Sequence, residues 1–129
     1  MLQMAYRHEN YLFTHAGVTK TFLQENGWTN NAIDEFINNL WKYKPKAFLF
    51  NGTNSIGDDI SQTPIWVRPK SLIKDSKNLG LIQIVGHTQM KSIDIKGKST
   101  GSKYFFIDTL GASKEYLIIE NGKFSTDKI

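Results

Sequence analysis

Two short apolar runs in this chain each lead to a histidine with a glycine within two residues. Asn10-Tyr11-Leu12-Phe13-Thr14 leads into His15-Ala16-Gly17, and Leu81-Ile82-Gln83-Ile84-Val85 leads into Gly86-His87-Thr88. Continuous apolar runs of this length, bounded by turn residues, are the pattern of buried strands. A strand end is where a rigid element hands a side chain to a cleft. Gly17 and Gly86 would let the backbone turn sharply next to each histidine. Imidazole titrates near neutrality and is the commonest metal ligand. Taken alone, the pair fits ordinary loop histidines as well as ligands.

The rest of the chain reads as helices first and strands later. Val18 to Glu25 fits a short helix stopped by Asn26-Gly27. A second helix is expected with Thr29 as N-cap and Trp28 and Ile33 as a hydrophobic staple. Ile33, Phe36, Ile37, Leu40 and Trp41 then share one face, and Pro45 bounds the element. Residues 51–63 are a loop by composition, and Pro64-Ile65-Trp66-Val67-Arg68-Pro69 is a short apolar segment between prolines. Further strands are expected at Ser92 to Ile95 and Tyr104 to Asp108, with a polar loop from Lys96 to Lys103 between them. Asn121-Gly122 marks a closing hairpin between Tyr116–Ile119 and Lys123–Ser125. This order predicts α+β, with a mostly antiparallel C-terminal sheet and a single domain over 1–129.

A length of 129 residues leaves little room for a second domain. The eight Phe, five Tyr and three Trp give the core bulk. With no cysteine, disulfides, thiolate metal sites and cysteine nucleophiles are excluded, and a cytoplasmic location is the expectation. Neither a signal peptide nor a membrane span is expected from the N-terminal residues. A net charge of +4 favours anions, phosphate among them. The lysines are dispersed (42, 44 and 46; then 91, 96, 98 and 103), as on a solvated surface, so a nucleic-acid partner is not expected. His8 is expected at the surface, and Gly57-Asp58-Asp59-Ile60 as a loop turn with a solvated acidic pair.

Four blocks carry a resemblance. Tyr11 to Val18 resembles the "strand, His, Ala/Gly, Gly" block of the calcineurin-like metallophosphoesterases. Pro64-Ile65-Trp66-Val67-Arg68 is similar to the Trp-x-Arg segment of their Ser/Thr-phosphatase-like branch. Ile84-Val85-Gly86-His87-Thr88 resembles the Gly-His-Thr block, and Phe106-Ile107-Asp108-Thr109 the strand that follows it. The blocks occur in the family's order over about residues 10–125, the C-terminal half of the family's domain.

The resemblance implies one half of a four-layer αββα sandwich. It implies metal-dependent hydrolysis of phosphate esters, by a metal-activated water at a dinuclear centre holding two divalent ions (Mn, Fe, Zn or Mg). His15 and His87 would be imidazole ligands of one metal, Arg68 would hold the substrate phosphate, and Asp108 would be structural rather than a ligand. The family's Asp-x-His, Gly-Asp-x-x-Asp and Gly-Asn-His-Asp/Glu motifs have no counterpart in this sequence. Two imidazoles fall short of the three or more protein ligands that a catalytic ion normally takes, and the carboxylates that suit these ions are missing. The expectation is therefore a fragment inactive by itself. It would be completed by a separate N-terminal half or by residues of a longer chain, and its exposed sheet would favour self-association. The alternative is a degenerate module that binds an anion or a protein without catalysis.

Overall fold

The computed structural model describes residues 2–97 and 101–129. Residues 98–100, in the middle of the expected polar loop, lie outside the described residues. The strands are β1 (Ala5–His8), β2 (Tyr11–Thr14), β3 (Ile82–Val85), β4 (Asp94–Gly97), β5 (Lys103–Phe106), β6 (Glu115–Glu120) and β7 (Lys123–Lys128). The helices are α1 (Lys20–Glu25), α2 (Ile33–Tyr43) and α3 (Pro69–Lys74), with short 3-10 turns at Pro45–Phe48 and Lys77–Leu79.

The chain is mixed α and β, and the expected antiparallel pairing holds for β4–β5 and β6–β7, while β3 pairs parallel with both of its neighbours. The main sheet runs in the order β1-β2-β3-β5-β4. Its centre is parallel, with β2 on β3 and β3 on β5, while β1 and β4 pair antiparallel at its two edges. The hairpin β6–β7 forms a separate two-stranded sheet. Apolar alternation encodes burial, not direction. Direction is set here by the long helical connection from β2 to β3, the kind of crossover that parallel neighbours require.

Pleating sends alternate residues to opposite faces. Leu12, Gln83, Val85, Tyr104 and Phe106 lie on one face, and Tyr11, Phe13, Ile82, Ile84 and Phe105 on the other. The first face packs under the helices. Leu12 joins Phe22 and Leu23 of α1, Ile33 and Ile37 of α2, and Phe48. Val85, Tyr104 and Phe106 join Leu72 of α3, Ala16 and Val67. Burying each large apolar side chain of this kind contributes about 1.5–3 kcal/mol. The second face packs under Leu117 and Ile119 of the hairpin. The layers are thus helices, sheet, hairpin.

Local chemistry explains the elements and corrects several expected boundaries. Thr19 caps α1, accepting from the Phe22 N–H. Thr29 does not cap α2: the N-cap is Ala32, which makes no side-chain bond, and the Trp28 indole instead donates to the Asn31 carbonyl. The expected face of α2 is the buried one, since Phe36, Leu40 and Trp41 pack beside Ile33 and Ile37. Asn38, on the same helix, bonds the backbone of Met4 and Ala5 and so occupies the free edge of β1. β4 begins two residues later than expected because the Ile93 N–H goes to the Glu115 carboxylate instead of the ladder. β5 ends at Phe106; the Ile107 N–H still donates to the Val85 carbonyl, and Asp108 lies in the loop beyond. Asn121 and Gly122 both take positive φ (50° and 72°), as a tight hairpin turn requires.

Candidate metal centre

The parallel pairing brings the two histidine turns together. Thr14 and Val85 are partners at the C-terminal ends of β2 and β3. The Gly86 N–H then donates to the His15 carbonyl at 2.9 Å, carrying the pairing one step past the strands. His15 Nε2 and His87 Nδ1, 72 residues apart in sequence, face each other at 3.1 Å. The ring planes are inclined at 61°. In open sheets with a parallel centre, ligand sites form at the carboxyl ends of the strands, and this is such an end.

The separation can be tested against metal geometry. With metal–imidazole bonds of ~2.0–2.1 Å, a 3.1 Å edge subtends about 95–100° at a shared ion. That lies between the octahedral and tetrahedral angles. A hydrogen bond between neutral imidazoles would take the same separation, so the pair is compatible with an ion without requiring one.

The two turns are built differently. Gly17 has φ +115°, and a Cβ there would overlap the Leu72 side chain. The Ala16 N–H donates to the Pro64 carbonyl at 2.7 Å, which ties the 64–68 segment to the end of β2. At the second turn the expected role of Gly86 is not observed. Its φ is not positive, and an added Cβ would make only ordinary contacts with the His15 carbonyl and Asp108. His87 itself takes the left-handed conformation, with φ +67°. Histidine enters that region more readily than most residues, at the low end of about 1–3 kcal/mol.

His15 is exposed and His87 half-buried. The buried Nε2 of His87 makes no hydrogen bond. Burial lowers the His87 pKa below the usual histidine value, the neighbouring Arg68 and His15 add to that, and the Trp66 backbone and Asp108 oppose it. The net direction favours the neutral ring.

Arg68 stands next to this pair, immediately before Pro69 at the start of α3. Its Nε donates to the Ile56 carbonyl at 2.6 Å, and its Nη1 to Thr88 Oγ1 at 3.2 Å. Three of its five N–H donors remain for an anion. The 51–63 loop fixes this arginine. Asn54 Oδ1 accepts from the Ile56 and Asp58 N–H groups, and Asp58 accepts from Ser71 Oγ at 2.6 Å. Gly57, at φ +84°, lies so close that a Cβ would sit 2.6 Å from the Trp66 carbonyl. The expected solvated acidic pair is corrected accordingly: Asp58 holds α3, and Asp59 accepts from the Ser61 N–H and hydroxyl. Those two bonds hold the Asp59 pKa below the usual carboxylate value.

Asp108 follows β5, with its carbonyl accepting from the Met90 N–H. His8 is exposed at the end of β1, away from the pair. Sequence reading missed Thr88 as the partner of Arg68, and the Ile56 carbonyl as its anchor. Thr88 could have been found from its place beside His87; nothing local marks Ile56. Among the described residues, no three His, Asp or Glu side chains converge on one point. None of the described helices is long and apolar enough to cross a membrane. Comparisons with protein-family models, with curated proteins and with solved structures each give no match.

Proposed function

We propose that this chain is the C-terminal part of a calcineurin-like metallophosphoesterase, contributing two imidazole ligands and a phosphate-binding arginine to a dinuclear centre. The observation that carries this reading is the 3.1 Å approach of His15 Nε2 to His87 Nδ1 at the ends of two parallel strands. Arg68 beside them supports it, with an unused fork of donors suited to a phosphate. The layer order supports the αββα half-sandwich, with the β6–β7 hairpin lying where a second sheet would pack. Bound divalent ions would activate water and neutralise phosphoryl oxygens. This chain's own residues would hold one ion through His15 and His87 and orient the phosphate through Arg68.

Two imidazoles are fewer than a catalytic ion takes, so this chain by itself is half of a hydrolytic centre. The carboxylates that complete it would come from outside these residues. On the hairpin side, Tyr6, Leu110 and Tyr116 remain exposed, as on a surface that another half or a second copy covers. The experiment is an assay of the purified chain on p-nitrophenyl phosphate with added manganese. The expected result is negligible turnover. Robust turnover that disappears in His87→Ala would overturn the inactive-fragment part of the reading. Phosphate binding that needs Arg68 but is indifferent to metal would favour the non-catalytic module.

A further inference from the structure

An aromatic surface lies beside Arg68. Trp66 and Phe50 are 40% and 42% exposed, and Ile56 is 61% exposed. They are not scattered. The Phe50 and Trp66 rings meet edge to face at 5.5 Å, and the Trp66 ring meets the His87 ring at 90° and 5.9 Å. The Ile56 carbonyl anchors Arg68 two residues along from Trp66. The surface is held in place from beneath. Gly57 fits against the Trp66 carbonyl where no larger residue would, and Asp58 ties the loop to Ser71 of α3. A tryptophan is among the costliest side chains to leave in water, and a fixed pair of half-exposed rings next to a guanidinium is a place for a ligand that is both planar and anionic.

Resting on the phosphate-binding reading of Arg68, we infer that the site takes phosphate esters whose organic part carries a planar aromatic ring. The phosphate lies on the free donors of Arg68, and the ring packs on Trp66 and Phe50. Aliphatic phosphates meet only the arginine. A ring packed on an aromatic side chain adds roughly three- to tenfold in affinity.

Binding of phenyl phosphate, methyl phosphate and inorganic phosphate to the chain, followed by two-dimensional NMR, tests this without any variant. The expected result is that phenyl phosphate binds about three- to tenfold more tightly than methyl phosphate and alone shifts the Trp66 indole N–H. Trp66→Leu and Phe50→Leu, which keep an apolar side chain, are expected to remove that preference, with the dispersion of the amide spectrum as the check on folding. Equal affinities for phenyl and methyl phosphate, both lost in Arg68→Ala, would overturn the aromatic specificity and leave the phosphate site standing. Failure of all three to bind would overturn both.

Discussion

The two histidine turns occupy equivalent places, at the ends of neighbouring parallel strands, yet their backbones are fixed by opposite means. At the first, a glycine carries the unusual conformation, and its missing side chain makes room for a buried leucine. His15 itself is left exposed. At the second, the glycine is ordinary and the histidine carries the positive φ, with one ring nitrogen buried and unpaired. The backbone of the first turn is therefore fixed by packing, and its histidine carries none of the strain. The second tolerates a locally unfavourable arrangement centred on the histidine.

That contrast can be broken by substitution, and the largest effect belongs to the first turn. Gly17→Ala combines a conformation that L-residues rarely adopt with overlap on fully buried Leu72. It is expected to cost about 2–4 kcal/mol in urea unfolding. A loss no larger than that of a surface substitution, under ~0.5 kcal/mol, would show that the turn relaxes freely. His87→Gly goes the other way. It relieves the positive φ and removes the unpaired nitrogen, so a gain of about 0.5–1 kcal/mol is expected in metal-free buffer. Destabilisation by that variant would mean the ring is held by contacts worth more than its strain. His15→Ala, at an exposed position, should change stability by under ~0.5 kcal/mol. Gly86→Ala should be the smallest change, within the same ~0.5 kcal/mol, since the added methyl meets only ordinary contacts. A thermal shift like that of Gly17→Ala would contradict the assignment of positive φ to His87.

The sequence made the apolar face of α2, the Asn121-Gly122 hairpin and the strands before both histidines legible, because each depends on spacing or on a turn preference. The parallel pairing of β2, β3 and β5 was not legible, since Leu12, Phe13 and Ile84 would look the same in either orientation. Strand β1 and helix α3 were missed. β1 turns into β2 through Glu9, a non-glycine residue at φ 53°, and α3 is only six residues long behind Pro69. In the site, the two histidines and the arginine could be named from flanking residues. Their mutual arrangement could not, because the Ile56 carbonyl and Thr88 reach Arg68 through the fold and not through any local pattern.

The central claim is that His15 and His87 together hold one ion, and His8, exposed and apart from them, is a built-in control. The most direct measurement is a Zn²⁺ titration of the chain followed through the ring nitrogens of all three histidines by long-range ¹H–¹⁵N NMR. The account predicts that His15 Nε2 and His87 Nδ1 shift together in one event with a single midpoint, and that substituting either ring abolishes the response of the other. Independent shifts with separate midpoints, or a response no stronger than that of His8, would contradict it.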